Sequence, residues 1–314
     1  MKYIVPDYYE RFSCIAGECK HSCCVGWEID IDDESFYRYQ TIKGAMGEKI
    51  RSCISIEGDG PHYILDEHER CPFLRKDGLC EMILELGEDA LCQICSDHPR
   101  FRNYYEDRVE IGLGLCCEAA GDLIIKNKNN TNLKVLSDNK EKPYENSEEQ
   151  TLLAFRNMLF EIMQDRDYTI DERLKELEEL CGTMNNQPIS KWADEYLSLE
   201  RLDEQWTYCL EKLKSNKEIE SNTFKTELWQ IAFEQLGVYF LYSHVPDAIE
   251  DGDVFSKIAF TVLSIKVLRQ LCAIKENETG NVTLDDLVEY AMMYSGEVEY
   301  SDENMDILYG LLLL

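Results

Sequence analysis

The sequence has few basic residues for its size: 32 lysines and arginines stand against 62 aspartates and glutamates, which gives a net charge of −30. Binding to nucleic acid and binding to an anionic membrane surface both depend on a basic footprint, so the composition argues against both. An acidic protein instead attracts a basic partner, such as a lysine-bearing protein surface. Solubility alone is the other explanation of the charge.

Long hydrophobic runs and glycine-rich nucleotide motifs are missing as well. The longest apolar run, IAFTVLSI, is far shorter than a membrane span. The first residues, MKYIVPDYYERF, lack the apolar core of a signal peptide. Neither a P-loop nor a Gly-x-Gly-x-x-Gly that follows a strand is present. We therefore expect a cytoplasmic protein that has no transmembrane segment and no ordinary Rossmann nucleotide site.

Cysteine, by contrast, is abundant and unevenly distributed. The chain contains 14 cysteines, and only Cys181, Cys209 and Cys272 follow residue 120. Structural disulfides are rare in a reducing compartment, so this density favours metal binding. The three late cysteines fall within helical apolar patterns and are predicted to be small core residues.

Composition and periodicity predict a mainly α protein in three segments. Residues 1–126 are predicted to form an α+β, cysteine-rich metal-cluster domain with short strands at WEIDI and RVEIGLGL. Residues 127–147, rich in Asn, Lys and Glu, are predicted to be a linker. Residues 148–314 are predicted to form an all-α bundle of six or seven helices, because their apolar residues recur at every third and fourth position. Capping boxes at Ser147 and Thr169 mark two helix starts.

The early cysteines form three groups along the chain. They are Cys14, Cys19, Cys23 and Cys24, then Cys71, Cys80, Cys92 and Cys95, and finally Cys116 and Cys117. Thiolates without an organised set of histidines suit an iron–sulfur cluster, which takes four cysteines. Zinc remains the alternative, because one pair has the C-x2-C spacing of zinc sites. Asp77 and Gly78 predict a turn that lets Cys71 and Cys80 meet.

Two histidines lie among these cysteines and leave further interpretations open. His21 and His98 can ligate zinc directly, or they can donate a hydrogen bond to a cysteine that ligates the metal. His98 also follows Cys95 closely, which leaves a catalytic pair of a cysteine nucleophile and a histidine base as an alternative, although adjacency in sequence does not establish a dyad. Metal binding is the preferred interpretation, since a bound metal also stabilises a region with few apolar side chains.

Three motifs together resemble the flagellin lysine-N-methylase family, namely FSCIAGECKHSCCVGWEIDID, CPFLRKDGLCEMILELGEDALCQICSDHPR and LGLCCEAAGDLII. The resemblance continues in GVYFLYSHVPDAIEDGDVFSKIAF and YSGEVEYSDENMDIL. It implies that the metal ligands come from the cysteines matching the family pattern, which are Cys14, Cys19, Cys23, Cys24, Cys71, Cys80, Cys95 and Cys116. Cys92 and Cys117 match this pattern less well, and His98 stands where the family more often has an aromatic residue. A more distant likeness exists to CxxCxxCC zinc- or iron-chelating domains.

The resemblance implies an enzyme of the bacterial flagellum, a methyltransferase that carries a 4Fe-4S cluster. Such an enzyme transfers methyl groups from S-adenosylmethionine to lysine ε-amines of a protein, with flagellin as the expected substrate. Cys24 directly follows Cys23, so the C-x3-C-x2-C motif of radical enzymes is not met. A structural or S-adenosylmethionine-orienting cluster is therefore preferred. The alternative function is a non-enzymatic zinc- or iron-binding or metal-sensing module. No residue pattern locates the catalytic residues or the methyl-donor pocket.

Overall fold

The computed structural model describes residues 1–58, 60–138 and 146–313. The strands are β1 (Lys2–Pro6), β2 (Ile54–Ser55), β3 (His62–Tyr63), β4 (Arg100–Tyr104), β5 (Arg108–Leu113) and β6 (Leu133–Asp138). The α-helices are α1 (Asp33–Thr41), α2 (Gly44–Ser52), α3 (Glu81–Leu86), α4 (Gln93–Asp97), α5 (Glu118–Ile125), α6 (Ser147–Met163), α7 (Ile170–Cys181), α8 (Ile189–Ser198), α9 (Glu204–Ser215), α10 (Glu227–His244), α11 (Ala248–Asp251), α12 (Val254–Thr279), α13 (Leu284–Tyr294) and α14 (Asp302–Leu312). The mainly helical fold with short strands confirms the predicted class.

The chain divides into two compact units whose bounds differ from the predicted 1–126 and 148–314. One unit is Ser13–Arg100, and the other combines Met1–Phe12 with Phe101–Leu314. The difference arises because the chain after Arg100 enters a sheet with β1, and α5 then joins the helical core.

The sheet of the larger unit has the strand order β4-β5-β1-β6. β1 runs parallel to β5, with Lys2 opposite Arg108, and antiparallel to β6. The predicted strand RVEIGLGL is confirmed as β5, and Tyr105 N–H donates to Arg108 O at 2.9 Å where β4 turns into β5. Because β6 pairs with β1, residues 133–138 of the predicted linker 127–147 belong to the sheet, whereas residues 139–145 lie outside the described residues.

The helical core is built around α10 and α12, whose side chains are buried nearly all the way around. The predicted capping box at Thr169 is confirmed, whereas α6 is capped one residue earlier than predicted, by the Asn146 side chain. Cys209 and Cys272 are buried in this core as predicted, and Cys181 is partly buried against it. Among the described helices, none has both the length and the apolar character needed to span a bilayer.

The helices and strands of the 13–100 unit are short. WEIDI is extended and alternates as predicted, with Ile29 and Ile31 buried, but only Asp30 makes a bridge, to His62. EMILELGEDALCQIC forms two short helices, α3 and α4, because Gly87 adopts a φ of 87° and ends α3. The core of this unit is small and mixes apolar side chains with cysteines, among them Cys71 and Cys92.

Candidate functional site

Six cysteines of the 13–100 unit each lie within hydrogen-bonding or electrostatic reach of at least one other of the six. We call them the thiol cluster: Cys23, Cys24, Cys71, Cys80, Cys92 and Cys95. Five of them are among the eight predicted ligands. The sixth, Cys92, was not among the predicted ligands because it matches the family pattern less well. Its C-x2-C spacing with Cys95 is the sequence signal that could have identified it.

Backbone pairing brings the first and second cysteine groups together. Cys71 N–H donates to Cys24 O at 2.8 Å, and the adjacent residues Val25 and Arg70 form an antiparallel bridge. Residues 47 positions apart in the chain are thereby held side by side, which local spacing alone does not reveal.

A tight turn brings Cys80 back toward Cys71, as Asp77-Gly78 predicts. Arg75 N–H donates to Leu79 O at 3.0 Å, and Gly78 has a φ of 77°, which favours glycine. The Cys80 thiol then lies close enough to act electrostatically on that of Cys71. The turn prediction is therefore confirmed.

The short helix α4 presents the remaining pair. Cys92 precedes α4 and Cys95 lies within it, so their side chains meet and form a hydrogen bond. This bond lowers the pKa of Cys92 and raises the pKa of Cys95. One sulfur of the pair is thus favoured as thiolate, the form that binds metal.

The pKa of Cys24, like that of Cys92, is lowered by hydrogen bonds from neighbouring thiols. Hydrogen bonds from Cys23 and then Cys71 lower the pKa of Cys24 to about 3, and the bond with Cys24 raises the pKa of Cys71. The thiol cluster therefore favours a thiolate at Cys24, and the lowered pKa of Cys92 makes that thiol the more acidic of its pair with Cys95. The other thiols can lose their protons to a metal.

The thiol cluster fits an iron–sulfur group by the chemistry of its donors, since iron–sulfur clusters take cysteine thiolates and six sulfurs are gathered here. The sulfurs are arranged through hydrogen-bonded contacts, Cys23 and Cys71 with Cys24, and Cys92 with Cys95. Within residues 1–58, 60–138 and 146–313, no three His, Cys, Asp or Glu side chains stand in the arrangement that would hold a metal ion. Metal ligation by these cysteines stays a prediction.

The remaining cysteines of the first group occupy a loop with local contacts. Cys14 is exposed and its Sγ accepts from Ala16 N–H at 3.3 Å, while the Cys19 thiol donates to His21 O at 2.8 Å. Gly17 in this loop packs against the turn after Cys71: a Cβ on Gly17 would lie 2.8 Å from Asp77 O. A glycine is needed here because a backbone atom occupies the space.

We expect Gly17→Ala to destabilise the 13–100 unit by about 1–3 kcal/mol, since the added methyl forces the loop off the turn. Thermal unfolding followed by circular dichroism measures this. The matched control is Gly310→Ala, where nothing lies within 4 Å of the added Cβ; because Gly310 is inside α14, that change should stabilise by up to about 1 kcal/mol. A Gly17→Ala protein as stable as the wild type would show that the loop does not pack on this turn.

His98 also borders the thiol cluster. Its ring stacks on Trp27 with 6.3 Å between the ring centroids, and burial lowers the pKa of His98. The Cys24 sulfur lies within electrostatic reach of the ring. His98 is thus positioned beside the thiols. His21 contacts a cysteine through its backbone carbonyl, which accepts from the Cys19 thiol.

Cys116 and Cys117 belong to the other compact unit, between β5 and α5. The Cys116 thiol forms a hydrogen bond with the Tyr300 side chain, and burial raises the pKa of this thiol to about 12. Cys117 and Glu299 lie within electrostatic reach of it. The role of Cys116 as a ligand stays a prediction.

A second polar cluster lies in the same unit, and no sequence motif pointed to it. The Glu299 carboxylate accepts from the Tyr239 hydroxyl at 3.2 and 3.3 Å, and its Oε1 lies 2.7 Å from His244 Nε2. The opposite ring nitrogen, His244 Nδ1, lies 3.1 Å from the Tyr309 hydroxyl. We call these four residues the Glu299 network.

The Glu299 network depends on an irregular turn. Ser295–Glu299 forms a π-helical segment after α13, and such wider turns often occur at functional sites. The side chains of His244 and Glu299 are only 8% and 4% exposed. A buried His–Glu pair of this kind requires hydrogen bonds to offset its desolvation, and the two tyrosines supply them.

The thiol cluster and the helical unit together define a cysteine-rich, mainly helical class of protein. Comparison with known proteins narrows this class. Residues 190–313 match the family model of the FliB lysine N-methylase C-terminal domain, a region that contains the whole Glu299 network. No solved structure gives a significant match.

Curated relatives agree with this family model. A 118-residue segment, 36% of this chain, is 30% identical to a lysine-N-methylase of Salmonella typhimurium and to the flagellar biosynthetic protein FliU of Salmonella muenchen. The match spans 29% of the length of the former and 70% of the latter. The chain belongs to the flagellin lysine-N-methylase family, as its amino-terminal motifs predict.

Proposed function

We propose that this protein transfers methyl groups from S-adenosylmethionine to lysine ε-amines of a protein substrate, and that flagellin is this substrate. The observation that carries the proposal is the match of residues 190–313 to the lysine N-methylase C-terminal domain. The similarity to FliU, a flagellar biosynthetic protein, supports a flagellar substrate. The net charge of −30 favours approach of a lysine-bearing surface.

The reaction makes one clear demand on the protein. A lysine ammonium, with a free pKa of about 10.4, must lose a proton before its nitrogen has a lone pair to react. That lone pair then forms a bond to the methyl carbon while the carbon–sulfur bond of the sulfonium breaks and a thioether leaves. The protein therefore has to provide a proton acceptor close to the target amine.

We further propose that the thiol cluster ligates the 4Fe-4S group that the family resemblance implies, with zinc as the alternative. Four thiolates are needed, and Cys24, Cys71, Cys92 and Cys95 are the members whose thiol contacts are best defined. These ligands come from distant parts of the 13–100 unit, so a bound group would cross-link a unit with a small apolar core.

Methylation of purified flagellin tests the proposal. We expect anaerobically prepared, iron-loaded protein to add one or more methyl masses to flagellin lysines, and only when S-adenosylmethionine is present. Mass spectrometry of the digested flagellin measures this. A flagellin sample whose lysines are already fully dimethylated is the matched control and should gain far less.

The same experiment addresses the alternative of a non-enzymatic metal module. The thiol cluster alone would support such a module, which predicts bound iron or zinc without any methyl transfer. Fully loaded protein that leaves flagellin unmodified over long incubation would contradict the methyltransferase proposal and favour the module.

A further inference from the structure

The hydrogen bonds of the Glu299 network assign a direction to proton movement through it. An ionised carboxylate only accepts hydrogen bonds, so the ring nitrogen facing Glu299, Nε2, is assigned the proton. His244 Nδ1 then carries a lone pair and accepts from the Tyr309 hydroxyl at 3.1 Å. Tyr309, His244 and Glu299 thus form a chain in which a hydroxyl is backed by an imidazole and a carboxylate, the order found in hydrolase triads.

The residues around His244 hold the Tyr309–His244–Glu299 relay in a buried environment. The Phe260 ring lies edge-on to the His244 ring with 4.9 Å between centroids, and the Phe240 ring stacks on the His244 ring with 6.2 Å between centroids. Tyr239, the fourth member, is held in turn by Leu115 N–H, which donates to its hydroxyl at 3.3 Å. The inner end is therefore buried, while Tyr309 at the outer end is only partly buried.

The outer end also has the charges expected of a site for an alkylammonium group. Asp247 and Asp251 are exposed carboxylates that act electrostatically on Tyr309. The chain's own Lys257 pairs with Asp251 and places its Nζ 3.6 Å from the centroid of the Tyr309 ring. The ring face thus already accommodates one lysine ammonium, and a fixed cation beside a second amine favours the neutral form of that amine.

We propose that Tyr309 is the catalytic residue that takes the proton from the target lysine, with His244 and Glu299 as positioning residues that carry the proton inward. This inference rests on the proposed methyl transfer. The lysine N–H proton passes to Tyr309 Oη as the Tyr309 hydroxyl proton passes to His244 Nδ1. The neutral lysine nitrogen is left to attack the methyl carbon, and the positive charge on His244 is stabilised by Glu299.

Burial raises the pKa of Tyr309, so its hydroxyl keeps a proton that it can exchange in this way. The charged and titratable groups that face the Tyr309–His244–Glu299 relay are Tyr239, Asp247, Asp251, Lys257, Tyr300 and Asp306. The carboxylates near the outer end attract the lysine, and Lys257 neutralises one of them.

Tyr309→Phe tests the role of the hydroxyl while keeping the ring that Lys257 contacts. We expect methyl transfer to flagellin at neutral pH to fall about 100-fold, the lower range for losing a general base. As the pH approaches that of free lysine deprotonation, about 10.4, the variant should recover toward the wild-type rate because solvent then removes the proton. Tyr168→Phe, at an exposed tyrosine, is the matched control and should keep the wild-type profile.

A second readout needs neither methyl donor nor metal. The chain has five histidines, so ring-nitrogen NMR of isotope-labelled histidine can identify His244 by comparison with His244→Gln. We expect a neutral His244 protonated on Nε2, and Tyr309→Phe should shift the signal of the unprotonated Nδ1. His244 protonated on Nδ1 instead would overturn the proposal whatever the activity.

The outcomes separate this inference from the proposed function. Wild-type transfer with an unchanged pH profile in Tyr309→Phe overturns the relay and leaves the methyltransferase proposal standing. No transfer by the loaded wild type at any pH overturns the proposed function and the relay with it. Loss of activity in Tyr309→Phe that high pH does not restore points to a structural role and also overturns the relay.

Discussion

Cys71→Ser is expected to remove most of the bound iron from the protein and to unfold the 13–100 unit. Cys71 is 7% exposed, forms a hydrogen bond with the Cys24 thiol and lies within electrostatic reach of Cys80, so under the proposed ligation its loss removes one ligand of the iron–sulfur group. Because metal binding and folding are coupled in a unit with a small core, both should fail together. Iron content should fall from about four atoms per chain to near zero, and the absorbance near 400 nm should disappear.

Cys209→Ser is the matched control, because Cys209 is also 7% exposed but lies in the helical core. Its substitution should leave the iron content unchanged and cost about 1 kcal/mol, as is usual for a small packing change. Iron assays and native-state proteolysis of both variants make the comparison. Equal iron loss in the two variants would show that the division into ligand and core cysteines is wrong, and equal retention would show that Cys71 is not a ligand.

Glu110→Gln is expected to give the largest loss of stability in the other unit. Glu110 on β5 and Arg156 on α6 form a bidentate ion pair in which both side chains are almost fully buried, at 1% and 2% exposure. Removing the negative charge leaves the guanidinium buried without its partner, which typically costs about 3–5 kcal/mol. For a unit of this size the unfolding midpoint should fall by about 10 °C or more.

Two further variants decide whether the pair itself stabilises the fold. Replacing both residues, Glu110→Leu with Arg156→Met, should recover much of the loss, because buried ion pairs can often be exchanged for apolar residues. Glu179→Gln breaks an exposed pair with Lys175 and should leave the midpoint unchanged. A Glu110→Gln protein that unfolds at the wild-type temperature would mean that Arg156 is solvated or finds another acceptor.

Local patterns predicted the parts of the fold that depend on local chemistry. Apolar periodicity located the helices, the Asp77-Gly78 pair located the turn before Cys80, and the Thr169 box located the start of α7. Element ends were less predictable, because Asn146 and Ser147 are both good caps and only the folded chain decides between them. The strand β6 was not predictable for the same kind of reason, since its short sequence LKVLSD lies within a polar stretch and forms a strand by pairing with β1.

The candidate sites differ in how far the sequence could predict them. Cysteine is uncommon enough that its grouping indicated the thiol cluster, although not which sulfurs meet. The Glu299 network is built from common residue types on three separate elements, so nothing in their spacing marks them. Only the packing of α10, the π-helical segment and α14 brings Tyr309, His244 and Glu299 into contact.

The parallel pairing of β1 with β5 has a consequence for the order of events on the ribosome. Lys2 of β1 can pair with Arg108 of β5 only after the whole 13–100 stretch has been synthesised. The second partner strand of β1, β6, is synthesised later still. The nascent thiol-rich stretch therefore leaves the exit tunnel while the sheet that will receive β1 does not yet exist. Under the proposed ligation, capture of iron by that stretch can thus precede, and need not wait for, assembly of the remainder of the molecule.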